Sequence, residues 1–384
     1  EHETNLYSML HWLGLKWDEG PDIGGESGPY RQSQRQDIYR QHAARLLQAG
    51  AAYRCFCTQE ELDAERNQAQ ASKQPYRYSR RCLEHPPSGR EEFIVRLKIP
   101  EGETSFHDLV RGEVSFQNQL IGDPVLVRRS GVALYNFSSA IDDGLMRISH
   151  IIRGEEHLSN TPIQLILLAA LDLPRPTAFA HLPVIVGPDR QKLSKRRHPE
   201  ARLGLYQEQG YLPQALLNYL ALLGWNPGSE QEFFTLEELI QTFSLERVQS
   251  SGAQFDGEKL EWLNGLWIRQ LSDADLTEQL IPFLPQLPIE TIRAAAPGLK
   301  ERLPRLDKAA ELLAYLTEPP PLPPLSPPQP EMLTAVAAKL QATEWNETAI
   351  EAALEELREE HGWARGKLFN PIRLAVAGRI SPPL

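Results

Sequence analysis

Residues 148–153 (Ile148-Ser-His-Ile-Ile-Arg153) run directly into Gly154-Glu-Glu-His-Leu-Ser-Asn-Thr-Pro162 and then a dense apolar stretch at 165–171. A second apolar run, residues 182–186, leads into the polar, basic stretch 187–198. The order reads as strand, helix, strand, loop. Ser159 or Asn160 supplies a helix cap, with Pro162 near the first helical position. A helix between two short apolar strands is the crossover that parallel strands require. This stretch therefore predicts an α/β fold. In such folds ligands bind beyond the carboxyl ends of the strands. Arg153 stands at one such end.

The pattern changes on either side. Leu6, Leu10, Leu13 and Leu15 share roughly one helical face, so residues 1–15 read as an amphipathic helix. Residues 20–30 are loop by Gly and Pro content, and 33–47 form a helix stopped by Gly50. Residues 93–97, 124–129 and 133–137 alternate apolar side chains and read as strands. From residue 199 onward every period is helical. Residues 213–223 open with Pro and close at Gly224, Thr235-Leu-Glu-Glu238 is a capping box, and 259–271, 331–343 and 348–361 are further helices. Residues 319–330 hold eight of the 31 prolines, so this stretch reads as an extended linker.

At 384 residues the chain has room for two to four domains. It carries 40 Lys plus Arg against 51 Asp plus Glu, a net charge of −11. That excludes a uniformly polycationic nucleic-acid coat but permits a local basic site on an acidic body. No run of 18 apolar residues exists, and residues 1–15 lack the basic start of a signal peptide. Three cysteines cannot all pair within one chain, which points to a reducing, cytoplasmic setting.

Three constellations carry chemistry. Lys192-Leu-Ser-Lys-Arg196, followed by Arg197 and His198, makes a mobile positive loop. It suits a polyphosphate and the negative charge that develops when an α-phosphate is attacked; a solvated basic turn is the plainer alternative. Tyr135-Asn-Phe-Ser-Ser-Ala-Ile-Asp-Asp143 places Tyr135 on a strand and an acidic pair in a turn ahead of Arg153. Arg offers a planar fork to a carboxylate ligand. The alternative is a salt bridge from Arg153 to Asp142, Asp143, Glu155 or Glu156. Third, Cys55-Phe-Cys57 is followed after 24 residues by Cys82-Leu-Glu-His85. Thiolates and an imidazole at these spacings suit a tetrahedral zinc site, against buried or free thiols beside a surface histidine.

The pentapeptide at 192–196 resembles the KMSKS signature of class I aminoacyl-tRNA synthetases, and His181-Leu-Pro-Val-Ile185 resembles what that family places before it. The run RGEEHLSNTP closely resembles bacterial glutamyl-tRNA synthetases. So do Trp12-Leu-Gly-Leu-Lys-Trp-Asp-Glu-Gly-Pro21, Gly28-Pro-Tyr-Arg-Gln-Ser33, Asp108-Leu-Val-Arg-Gly112 and Phe255-Asp-Gly-Glu-Lys-Leu-Glu-Trp-Leu-Asn264. The resemblance covers nearly the whole chain. It implies a class I Rossmann-type catalytic domain at 1–54 and 131–198, amino-terminally incomplete. An inserted α+β acceptor-binding domain at 55–130 would interrupt it. A helical stem-contact domain at 199–270 and an all-α anticodon-binding region at 271–384 would follow.

The activity implied is ATP-dependent ligation of L-glutamate to tRNA(Glu) through glutamyl adenylate, by a monomer, with Mg²⁺ accompanying ATP. The resemblance gives Tyr135, Ser139 and Arg153 to glutamate. It gives Lys195, His157 and Ile185 to ATP, and Lys192, Ser194, Lys195 and Arg196 to catalysis. It also adds Tyr78 as an outside candidate for a fourth zinc ligand, because His85 falls one position later than the family pattern.

Where the family commonly has Asn facing glutamate, this sequence has Ser139. No H-x-G-H phrase occurs in the 384 residues, and they stop soon after Arg379-Ile-Ser-Pro-Pro-Leu384 where relatives continue. The expectation is that the chain as written makes no adenylate. Two rivals stand beside the ligase. A glutamyl-queuosine tRNA synthetase shares the catalytic half but lacks the helical tail. A catalytically inactive tRNA-binding paralogue or fragment would bind without adenylating.

Overall fold

A computed structural model of the chain describes residues 2–73, 76–194, 197–318, 320–321, 324, 326 and 328–378. The chain divides into two compact units, Glu1–Ser194 with Ala221–Phe255, and Lys195–Leu220 with Asp256–Leu384.

The first unit opens with helices α1 (His2–Trp12) and α2 (Gln36–Gln48). Strand β1 (Ala52–Cys55) follows, then α3 (Gln59–Ala71) and α4 (Arg81–Glu84). Strands β2 (Ile94–Leu97), β3 (Glu103–Asp108) and β4 (Gly112–Gln117) come next, then α5 (Asn118–Ile121) and β5 (Val125–Val127). The unit continues with α6 (Tyr135–Leu145), β6 (His150–Gly154), α7 (Thr161–Leu171), β7 (Ala178–Leu182), β8 (Ile185–Val186) and, later in the chain, β9 (Ala253–Gln254).

The strand–helix–strand order forms, but its second strand lies at Ala178–Leu182, earlier than the expected 182–186. β6 and β7 are parallel, in register from His150 opposite Ala178 to Gly154 opposite Leu182. This places Arg153 beside His181 at the strands' carboxyl ends. Helix α7 crosses between them, burying Leu165, Leu167, Leu168 and Leu171. The sheet order is β4-β3-β7-β6, with β3 parallel to β7 and the β3–β4 hairpin antiparallel. The hairpin lies within the segment expected as an insertion, yet it shares the sheet of β6 and β7.

A second, antiparallel sheet, β1-β2-β5, packs with α2, α6 and α7. Tyr39, Leu46, Leu97, Leu126, Phe137, Ile141, Leu167 and Leu171 fill that core with almost no exposure. Burying each such side chain contributes about 1.5–3 kcal/mol, so this core holds the site's helices firmly against the sheet.

Two local expectations change. Residues 133–137 read as a strand, but Tyr135 begins helix α6. Phe137, Ala140, Ile141 and Gly144 are buried at helical spacing, a period that a five-residue window cannot separate from alternation. Asp142 and Asp143 therefore lie on a helix rather than in a turn. Residues 182–186 read as one strand, but β7 ends at Leu182 and β8 joins a different sheet, parallel to β9. Pro183, which has no N–H to donate, stands at the break.

The second unit is helical from Leu203–Glu208 onward. Helices Gly257–Gln270, Asp273–Leu280 and Ile289–Lys300 gather around Leu276, Leu280, Ile292 and Leu299. Helices Gln329–Gln341, Glu347–Glu360 and Arg365–Ala377 enclose a separate core of Met332, Val336, Leu354, Leu357 and Leu368. Of the expected linker at 319–330, residues 319, 322, 323, 325 and 327 lie outside the described residues, and a helix already begins at Gln329. Among the described residues no helix is long and apolar enough to cross a membrane.

Candidate active site

Arg153 is half-buried at the end of β6, and neutral groups hold its guanidinium. Its Nη2 donates to Thr161 Oγ1 at 2.8 Å, Gln164 Oε1 at 2.9 Å and the His157 carbonyl at 3.4 Å. Its Nε lies 3.2 Å from His181 Nε2, and its Nη1 makes only a long 3.4 Å contact with the Tyr135 hydroxyl.

The salt bridges weighed for Arg153 from sequence do not form. Asp142 is buried on α6 and accepts from Arg35 Nε at 2.7 Å, Gln32 Nε2 at 2.9 Å and the Tyr39 hydroxyl at 2.8 Å. Glu155 pairs with Arg111, and Glu156 pairs with Lys192 at 2.6 Å. Asp143 makes its hydrogen bond with Ser139, whose hydroxyl donates at 3.4 Å. Burial pushes the Asp143 carboxyl up to about 6, against the pull of Arg153. Among the described residues, no carboxylate stands within ion-pair distance of Arg153.

Helix α6 brings Tyr135 and Ser139 onto one face, one turn apart. The Tyr135 ring, exposed, meets the His157 ring at 5.5 Å between centroids. Asn160 does not cap α7 through its side chain. Its amide group instead lies 3.1 Å from His157 Nδ1 and 3.4 Å from Asn136. Arg153, Tyr135 and His157 thus form one cluster, while Ser139, one turn from Tyr135 on α6, bonds instead to Asp143.

Residues 187–193, the first part of the basic segment, fold back toward β8. Gly187 N–H donates to Gln191, Leu193 N–H donates to the Ile185 carbonyl at 2.9 Å, and Lys192 bridges Val186. Ile185, half-buried on β8, therefore anchors the segment. Ser194 is half-buried just past this turn. Lys195 and Arg196 lie outside the described residues.

Cys55, Cys57 and Cys82 are buried, and their sulfurs lie within 4.8 Å of one another. The Tyr78 hydroxyl stands 3.3 Å from Cys55 Sγ and 3.4 Å from Cys57 Sγ, and Cys57 and Cys82 are 3.5 Å apart. His85 is exposed and does not join the group. Arg96 is buried with its guanidinium 4.1 Å over the Tyr78 ring, and its Nε has no hydrogen-bond partner. A buried cation with an orphaned donor next to three thiols fits a site that holds anionic sulfur and a metal ion.

Two family models match the chain: tRNA synthetases class I (E and Q), catalytic domain, over residues 1–262, and Anticodon binding domain, over residues 275–383. The glutamate–tRNA ligase of Moorella thermoacetica is 42% identical over 405 residues, spanning 98% of this chain and 82% of the relative. The chain belongs to the class I glutamate–tRNA ligases. Another member, from Symbiobacterium thermophilum, is 40% identical over 100% of this chain and 85% of its own. A crystal structure of the ligase from Elizabethkingia meningosepticum in complex with its amino acid superposes with a TM-score of 0.88. It is 28% identical and covers 99% of this chain and 84% of that one. As in the family, a class I catalytic domain precedes an anticodon-binding domain. The helical tail separates this ligase from the glutamyl-queuosine rival, which lacks one.

Sequence reasoning singled out Arg153 in this ligase but missed what holds it. Thr161, Gln164, His181 and Asp108 were assigned no role. A polar His within the apolar run Ala178–Leu182 was the available signal.

Proposed function

We propose that Arg153 and Tyr135, with Ser139 beside them, hold a carboxylate of L-glutamate during its ATP-dependent ligation to tRNA(Glu). The observation that carries this reading is an arginine at a strand's carboxyl end that neutral donors and acceptors fix in place. Every nearby carboxylate is engaged elsewhere, which leaves the Nη1 N–H groups of Arg153, on the Tyr135 side, for a ligand carboxylate. His157 and Ile185 would border ATP, which Mg²⁺ accompanies. Lys195, aided by Lys192 and Arg196 on a turn shaped by Ser194, would meet its phosphates.

In the first step a glutamate α-carboxylate oxygen attacks the α-phosphorus, and the bond to pyrophosphate breaks with its electron pair leaving on pyrophosphate. In the second, the terminal ribose hydroxyl of tRNA attacks the activated carbonyl, loses its proton and expels AMP. Cations near the α-phosphate stabilise the charge that develops there.

Zn²⁺ would be held by Cys55, Cys57 and Cys82, with the Tyr78 oxygen rather than His85 in fourth place. It would tie β1 to α4 as a structural ion. Residues 55–130 would meet the acceptor end, 199–270 the stem and 271–384 the anticodon of tRNA. Phosphate contacts make that binding weaken steeply with salt. The enzyme would work as a cytoplasmic monomer.

The deciding experiment is glutamate-dependent pyrophosphate exchange by Arg153→Ala in the full-length protein. Loss of a charged partner should raise the glutamate KM by at least about tenfold with the ATP KM little changed. An unchanged glutamate KM overturns the assignment.

A further inference from the structure

Asp108 and His181 are 73 residues apart in sequence, and both are fully buried. Asp108 ends β3 at the hairpin turn, and His181 lies near the end of β7 beside Arg153. Asp108 Oδ1 accepts the backbone N–H groups of Val110 and Arg111, each at 3.0 Å. Oδ2 accepts the His181 N–H at 3.1 Å and stands 2.6 Å from His181 Nδ1.

A carboxylate only accepts, so Nδ1 carries the imidazole proton and Nε2 is bare. Arg153 Nε only donates, and it meets that bare nitrogen at 3.2 Å. Thr161 Oγ1, 3.1 Å from the same nitrogen, accepts from Arg153 Nη2. Two sides of the guanidinium are thereby fixed, and the Nη1 side remains toward Tyr135.

We infer that Asp108 and His181 are positioning residues: the carboxylate selects the imidazole tautomer, and the imidazole aims the Arg153 guanidinium at the substrate carboxylate. This rests on the assignment of Arg153 to glutamate. Burial, with Arg153 and Arg111 nearby, holds the His181 pKa below its usual value despite Asp108. A neutral ring is what the geometry requires, because a protonated one would present a second N–H to Arg153. The inference gives the Asp108-Leu-Val-Arg-Gly112 turn a part in the chemistry. The β3–β4 hairpin carries the residue that sets the tautomer of its neighbouring strand.

Asp108→Asn separates positioning from mere packing. The Asn carbonyl can still accept the backbone N–H groups at 110, 111 and 181. Its NH₂ then faces Nδ1, which drives the proton to Nε2 and sets donor against donor at Arg153. A similar isosteric change spoils the tautomer in serine-protease triads while leaving the geometry intact.

In the full chain with ring-¹⁵N histidine, NMR should show His181 as the Nδ1–H form, and as the Nε2–H form in Asp108→Asn. Pyrophosphate exchange should show the glutamate KM raised about tenfold or more and the ATP KM within about twofold. If the variant does not fold, His181→Gln and His181→Leu carry the test. Gln keeps an acceptor near the Nε2 position and should hold the glutamate KM within about threefold, while Leu should raise it at least about tenfold. Equal effects of Gln and Leu, or a tautomer that switches with the glutamate KM unmoved, overturn the inference. Arg153→Ala is the control. If it leaves the glutamate KM unchanged, the assignment of Arg153 has failed, and the relay to glutamate falls with it. If it raises the KM while Asp108→Asn does not, the relay alone has failed.

Discussion

Lys192 Nζ lies 2.6 Å from Glu156 Oε1, so the first cation of the basic segment is tied to the turn that follows Arg153. Both side chains are about half exposed, at 56% and 45%. Such a pair is worth at most about 1 kcal/mol, so its role is placement more than stability. It links the two parts of the site that would serve glutamate and phosphate.

Glu156→Gln should therefore leave the melting temperature nearly unchanged while altering the ATP KM. The Lys192 hydrogen bond lowers the Glu156 pKa from 4.5. A depressed carboxylate adds stability above its unfolded pKa and loses it as the pH falls, so any stability difference should vanish in acid. Thermal melts at pH 7 and pH 3, alongside exchange kinetics, check both parts. A large loss of stability at pH 7 would contradict the assignment.

Lys195→Ala should slow adenylate formation far more than it weakens glutamate binding. Removing a charged donor from a developing anion costs roughly 3–4 kcal/mol, or about 10²–10³ in rate. Single-turnover adenylation compared with glutamate affinity by calorimetry reads the two effects apart. An undiminished rate would remove Lys195 from the mechanism.

Asp143→Asn should stabilise the protein near neutral pH. Burial raises the carboxyl from 3.8 to about 6, so the folded state binds the proton more tightly than the unfolded chain does. Its contribution is favourable below the unfolded pKa and is lost as the pH rises through about 6. The melting-temperature difference between variant and parent should be small at pH 4 and widen by pH 7.5. A constant difference across that range would mean that Asp143 does not titrate as described.

Elemental analysis of tag-free protein should find one zinc per chain, retained in His85→Ala and weakened in Tyr78→Phe. The Tyr78 oxygen stands within 3.4 Å of the Cys55 and Cys57 sulfurs, whereas His85 is exposed and lies outside the cysteine group. Chelation should destabilise the β1–α4 region, read by hydrogen exchange. Metal-free protein with three freely titrating thiols would favour plain buried cysteines.

The sequence by itself determined what is local. The strand–helix–strand order around Arg153, the capping box at Thr235–Glu238, the helical back half and the paired cysteines all rest on spacings within a few turns. Periodicity and capping chemistry are carried by neighbours in the chain, so they survive without tertiary knowledge. Tyr135 marks the limit, because five residues with alternating apolar side chains fit either period, and burial of Phe137 and Ile141 against α2 and α7 selected the helix.

Only the tertiary structure decided which charges meet. From sequence, Asp142, Asp143, Glu155 and Glu156 were equal suitors for Arg153. Folding brought Arg35 to Asp142 across 107 positions, Arg111 to Glu155 across 44 and Lys192 to Glu156 across 36. It brought Asp108 to His181 across 73. Electrostatic and hydrogen-bond partners depend on distance in space, and no local period encodes which strand lies next to which. The sheet order β4-β3-β7-β6 set Asp108 beside His181, and the packing of α2 on α6 gave Asp142 to Arg35; Arg153 is left free of any protein carboxylate among the described residues.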